Sequence, residues 1–187
     1  MPQVTILSRA KVYKSFFDID EVELQFGDNT VPIKRSLVAT RKACGVLLHN
    51  IDNNTFIFSK QYRVGAIDDG NPYVIEIPAG IMDKDETPEE CARREVLEET
   101  GYGVESLQKI GSFFNSPGYT NEKINLFYCT TRNKLKHQTG GGLDSEHEFI
   151  EILEFPIEKA YQMRDTGEIC DAKTVIALYW FENQAKA

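Results

Sequence analysis

The sequence predicts an α+β fold: a mixed β-sheet sandwiched between helices, with a small antiparallel β region at the N-terminus. Three observations carry this expectation. Apolar residues alternate at period two in the first part of the chain, at Val22, Leu24 and Phe26. A strongly capped helix opens at Thr87. Strand and helix patterns are interspersed without the strict strand–helix repeat of a doubly wound sheet.

The elements follow in order. Ile6 to Phe26 reads as antiparallel strand; Gly27-Asp28-Asn29 supplies turn chemistry, and Val31 to Ala39 returns as another strand. These define an N-terminal β region over residues 1–42, and the main domain runs from 43 to 187. Cys44–His49 and Thr55–Phe58, joined by Asp52-Asn53-Asn54, form a hairpin. A loop from Ala66 to Pro72 precedes a strand over Tyr73–Ile77. Thr87-Pro88-Glu89-Glu90 places Thr at the N-cap, Pro at the first helical position and Glu at the third, a capping box. That helix runs to about Thr100 and stops at Gly101. Strands are expected near Ser106–Phe114, Ile124–Thr130 and Phe149–Phe155. Two helices close the chain, near Ile157–Asp165 and Ala172–Asn183, the latter capped by Asp171.

The chain has 187 residues, 27% of them charged, and a formal net charge of −8. This balance opposes a broad phosphate-tracking surface, so neither nucleic acid nor an anionic membrane is an expected partner. No apolar run approaches the ~18 residues of a membrane span, and the N-terminus lacks the apolar core of a signal peptide. The four cysteines show no metal-ligand spacing. Buried free thiols in a reducing, cytoplasmic compartment are the expectation.

The acid excess has a location. Residues 83–99 hold eight acids and three bases, and residues 144–151 hold four acids and no Lys or Arg. The remainder has 17 acids and 18 bases, a net of +1. Glu95, Glu98 and Glu99 stand at i, i+3 and i+4, on one side of a helix and beside the apolar stripe of Ala92 and Val96. Like charges converging near a core need a compensating cation. Arg93 and Arg94 supply part of it. Oxygen ligands without His or Cys favour a hard divalent ion, Mg²⁺ or Mn²⁺, for the rest. A solvated acidic face is the plainer alternative for the cluster alone.

Gly80, five residues, Glu86, seven residues, then Arg94-Glu95-Val-Leu-Glu98-Glu99-Thr-Gly101-Tyr102 resembles the signature of the Nudix hydrolases. Tyr102 is the one soft departure, at a core-packing position where the family has an aliphatic residue. The resemblance implies the Nudix fold and metal-assisted hydrolysis of a pyrophosphate bond. It implies that Glu95, Glu99 and the carbonyl of Ala79 ligate metal, that Arg94 orients carboxylates, and that Glu98 is a further ligand or polarises water. Gly80 is expected to adopt a backbone conformation that other residues resist.

The flanks resemble the ADP-ribose and nucleoside-diphosphate-sugar pyrophosphatases. Gln61-Tyr62-Arg63, Val74-Ile-Glu76-Ile-Pro78-Ala-Gly80 and Ser116-Pro117-Gly118 carry this likeness, Pro117 lying sixteen residues past Gly101. An ordinary Pro-Gly turn is the plainer reading of the last. The same resemblance implies Glu146 as general base, with Glu98 the runner-up, and Glu148 as a supplementary metal ligand; His147 is expected to be a solvated neighbour. Phe16 is either a platform for the substrate base or a core residue. Arg63 either contacts substrate or pairs with an acid. A homodimer joined through its N-terminal strands is implied as well.

The leading expectation is therefore Mg²⁺-dependent cleavage of ADP-ribose to AMP and ribose 5-phosphate. UDP-glucose and GDP-mannose are rival substrates, and Gly140-Gly-Gly-Leu143 and Glu148-Phe-Ile-Glu151 resemble the hydrolases of those sugars. A non-catalytic nucleotide-sensing domain is the rival from another class. The intact glutamate set argues against it.

Overall fold

The computed structural model describes residues 1–28, 31–142 and 149–184. It divides into two compact units: residues 1–42 with 114–123, and residues 43–113 with 124–187.

The first unit is a three-stranded antiparallel sheet of β1 (Val4–Tyr13), β2 (Asp18–Phe26) and β3 (Ile33–Ala39), in that order. The single alternating stretch expected from Ile6 to Phe26 is thus two strands, broken at residues 14–17. Ion pairs run diagonally across the strands: Arg9, opposite Val22, reaches Asp20 at 2.5 Å, and Lys34, opposite Glu23, reaches Glu21 at 2.7 Å. Every residue of β1 is exposed, and one of its edges is covered by β2.

The second unit is built on a seven-stranded mixed sheet. Its strands are β4 (Ala43–Asn50), β5 (Thr55–Tyr62), β6 (Tyr73–Glu76), β7 (Ala79–Ile81), β8 (Ser106–Phe114), β9 (Lys123–Thr131) and β10 (Glu151–Pro156), and its helices α1 (Pro88–Thr100), α2 (Ile157–Thr166) and α3 (Ala172–Gln184). The main order is β10-β5-β4-β9-β8, with β4 and β9 parallel and β4 and β5 antiparallel.

Alternation along β4 explains the sandwich. Cys44, Val46 and Leu48 pack with Cys91, Ala92 and Val96 of α1. Leu47 points the other way, into a cluster with Phe56, Phe58, Met163 of α2 and Leu178 of α3. All eight residues of β4 are buried because both faces are covered.

One detail positions the site. β4 and β5 pair only over Leu48–Asn50 and Thr55–Ile57, then diverge. Into the opening come β6, paired with β5, and β7, paired with β4. The expected strand Tyr73–Ile77 is therefore β6, and β7 was not expected. Pro78 lies between them, and its carbonyl accepts from the Val46 N–H at 2.9 Å. Among the described residues no helix is long and apolar enough to cross a membrane.

Candidate active site

The helix expected from Thr87 is α1, with the capping box formed: Glu90 N–H donates to Thr87 Oγ1 at 3.3 Å, and Thr87 N–H to Glu90 Oε2 at 2.9 Å. Gly101 ends it in the left-handed conformation. This register turns Glu95 and Glu99 inward; they are 8% and 1% exposed, while Glu98 is half-buried.

Arg94 joins the loop to the helix. Its Nε and Nη2 donate to the two oxygens of Glu86 at 2.9 and 3.0 Å, and its Nη1 to Glu95 at 2.7 Å and Glu98 at 2.9 Å. Nη2 also reaches the Ile81 carbonyl at 3.2 Å. The hydrogen bond from Arg94 is the main reason the Glu86 carboxyl lies below its ordinary pKa. The Asp83 N–H adds a third donor to Glu86, at 2.8 Å. Glu86 belongs to the recognised signature, yet its part as the bidentate partner of Arg94 was not anticipated.

Gly80 has a different role from the one expected. It is not among the glycines with left-handed backbone. It is needed for space: a Cβ there would lie 1.9 Å from Glu95 Oε1. The Ala79 N–H donates to Glu99 Oε1 at 3.2 Å. The β7 backbone and both buried glutamates therefore meet edge to edge.

Glu76, the last residue of β6, anchors an ion network whose extent the sequence did not reveal. Glu76, 2% exposed, accepts from Arg63 Nε at 2.5 Å and Nη2 at 3.1 Å, and from Lys173 Nζ. Lys173 also donates to Asp171 at 2.9 Å. Burial pushes the Glu76 carboxyl upward, but Lys173 and Arg63 outweigh it and leave the carboxyl below its ordinary pKa. Arg63 thus pairs with an acid, and its side chain stays 44% exposed beside that pair. The sequence marks Asp171 only as the cap of the last helix. The pairing of Lys173 with Glu76 spans 97 positions.

The C-terminal end of α1 is held by the glycine-rich segment. Gly141 N–H donates to the Glu99 carbonyl at 2.7 Å, His137 N–H to the Gly101 carbonyl at 2.8 Å, and Gln138 Nε2 to the Leu97 carbonyl at 2.8 Å. Tyr102 is buried in the α1-side core, as its packing position implied. Phe16 is 83% exposed and sits edge-on to Phe17. Pro117 lies in the turn where Tyr119 N–H donates to the Ser116 carbonyl at 3.1 Å. Both belong to the first unit. Glu146, His147 and Glu148 lie outside the described residues. Cys44, Cys91 and Cys129 are buried, Cys170 is exposed, and all four are free. The adjacent Cys44 thiol and burial push Cys91 up, and burial pushes Cys129 up to about 12.

Among the described residues no three His, Cys, Asp or Glu side chains already converge as a metal cage. Instead Arg94 lies among Glu86, Glu95 and Glu98. The donor chemistry nonetheless fits a hard cation: clustered carboxylates and backbone carbonyls, and a glycine cradle with no room for a side chain.

A glycine-cradled loop and an acidic helix mounted on a mixed sheet define a hydrolase of the class that generally works with divalent metal. The chain belongs to the Nudix hydrolase family: the NUDIX domain model matches residues 39–178. A GDP-mannose pyrophosphatase of Salmonella arizonae is 40% identical over 147 residues, 78% of this chain and 75% of that protein. Another, from Escherichia coli O139:H28, is 32% identical over 185 residues, 96% of this chain and 95% of the relative. The crystal structure of an ADP compounds hydrolase matches with a TM-score of 0.80 over 98% of this chain and 95% of the other, at 23% identity, a likeness of fold.

Proposed function

We propose that the protein hydrolyses the pyrophosphate bond of a nucleoside diphosphate sugar, with GDP-mannose as the leading substrate. The observation that carries the reaction is the Arg94 clamp on Glu86, Glu95 and Glu98 beside the Gly80 cradle. The observation that selects the sugar is the identity to two GDP-mannose pyrophosphatases, one of them over nearly the full chain. This reverses the order expected from sequence motifs, where ADP-ribose led. ADP-ribose remains the second reading, supported by the placement of Pro117 after the signature.

Glu95, Glu99 and the Ala79 carbonyl would hold the metal, with Glu98 and Glu148 as further ligands and Mg²⁺ the expected ion. When bound, the ion neutralises the diphosphate and lowers the pKa of water. Arg94 keeps the carboxylates in register. Glu146 accepts the proton of the attacking water, with Glu98 as the alternative base. Water adds to phosphorus and the P–O–P bond breaks, giving GMP and mannose 1-phosphate from GDP-mannose. Phe16, with its exposed ring, is a stacking platform for the base, and Pro117 and Arg63 are the remaining candidate substrate contacts.

The N-terminal region, residues 1–42, serves dimerisation. The fully exposed β1 carries Val4, Ile6, Leu7, Val12 and Tyr13, suiting it to a second copy of this chain. Light scattering on the purified protein should give twice the mass of one chain. Three buried thiols suit a reducing cytoplasm.

The substrate reading is tested with GDP-mannose, ADP-ribose and UDP-glucose at saturating Mg²⁺, ranked by kcat/KM. GDP-mannose should rank first. ADP-ribose ranking first would restore the second reading, and no turnover of any of the three would overturn the function. Isotope-labelled water in the same assay identifies the phosphorus attacked.

A further inference from the structure

The segment from Ile77 to Ala79 is tied on three sides in three consecutive residues. Ile77 N–H donates to Thr174 Oγ1 at 2.9 Å, the Pro78 carbonyl accepts from Val46 N–H at 2.9 Å, and Ala79 N–H donates to Glu99 Oε1 at 3.2 Å. The first tie comes from α3. Thr174 is fully buried, and its own hydroxyl proton goes to Asp171 Oδ2 at 2.6 Å. A hydroxyl has one proton and two lone pairs, so donation to Asp171 leaves its acceptor side for Ile77. Asp171 is itself fixed by the Thr174 N–H at 3.0 Å and by Lys173. Pro78 has no N–H and biases Ile77 toward extended backbone, which leaves this short link little room to absorb a shift.

We infer that Thr174 is a positioning residue of the metal-binding face, setting the Ala79 carbonyl and, through the Ala79 N–H, the Glu99 carboxylate. The inference rests on the metal reading given above. Thr174 is not among the proposed metal ligands or substrate contacts. It acts two residues away, by fixing the peptide that enters β7. Hydrogen bonds behind a metal site commonly set its affinity in this manner.

Thr174→Val keeps the shape but removes both the donor to Asp171 and the acceptor of a buried N–H; Thr174→Ser restores the hydroxyl. The readout is Mn²⁺ binding without substrate, by electron paramagnetic resonance of the free ion, with circular dichroism to verify folding. T174V should bind Mn²⁺ about tenfold more weakly than the wild type. T174S should return close to wild-type affinity. At saturating Mn²⁺, T174V should lower kcat and leave the nucleotide-sugar KM nearly unchanged. If T174V fails to fold, Thr174→Cys, with its weak acceptor sulfur, is read in the same titration. Wild-type affinity in folded T174V, or equal weakening in T174V and T174S, would overturn the positioning role alone. A wild-type protein that binds no Mn²⁺ would remove the metal reading and this role together.

Discussion

A Cβ on Gly80 would lie 1.9 Å from Oε1 of Glu95 and 2.3 Å from Oε2. The glycine at the head of the signature therefore leaves space for a carboxylate; its backbone is not in the left-handed region.

Gly80→Ala should separate stability from activity. The clashing atoms are the end of a flexible side chain, so Glu95 can swing aside, at a cost of about 2–4 kcal/mol for the rotamer and the broken bond to Arg94. Its carboxylate then leaves the place where Arg94 holds it, and kcat should fall on the order of a hundredfold. Urea denaturation and steady-state kinetics on one preparation check both halves. A fully active variant would refute the cradle.

Glu98→Gln and Glu99→Gln should each lower turnover by roughly a hundredfold or more while the protein stays folded. A glutamine retains an oxygen for the Ala79 N–H that Glu99 now accepts, and one for Arg94 at position 98. Thermal melts within a few degrees of wild type, alongside lost hydrolysis, are expected; unaffected rates would exclude the metal assignment.

Gly140→Ala and Gly167→Ala test where backbone freedom is essential. Both have left-handed φ, +72° and +81°. A Cβ at Gly167 meets nothing within 4 Å, whereas one at Gly140 would sit 2.6 Å from the Glu99 carbonyl oxygen and 2.5 Å from the Thr100 carbonyl carbon. Gly167→Ala should cost about 1–2 kcal/mol, the strain of the conformation alone. Gly140→Ala should cost about 2–5 kcal/mol, because rigid backbone must also move. Equal midpoints in urea would refute this.

His49 should make the fold sensitive to mild acid. It is 8% exposed, with Nδ1 against Tyr128 OH at 2.8 Å and Nε2 against Asn54 Oδ1 at 3.3 Å. Burial holds its pKa below 6.5, partly offset by Asn54. The unfolded chain therefore takes up the proton first. Stability present above the unfolded pKa is lost as pH falls from about 6.5 toward the folded value. Urea midpoints from about pH 7.5 to 5 should fall in the wild type and flatten in His49→Gln. Parallel profiles would rule His49 out.

What is local could be read directly along the chain. The cap at Thr87, the stop at Gly101 and the i, i+3, i+4 spacing of Glu95, Glu98 and Glu99 act within one helix, where neighbouring residues fix the geometry. The helical period also placed Glu95 and Glu99 beside the buried stripe, and the family signature was complete in 23 consecutive residues, Gly80 to Tyr102. The rest arises from long-range packing. Strand β7 pairs with β4 where β4 and β5 have diverged; Glu76 meets Lys173 across 97 positions, and Thr174 meets Ile77 across the same distance. Gly80 is needed for the room it leaves beside Glu95, a partner on the next element. Contacts of this kind depend on which surfaces the sheet brings together, and neither propensity nor periodicity along the chain records that pairing.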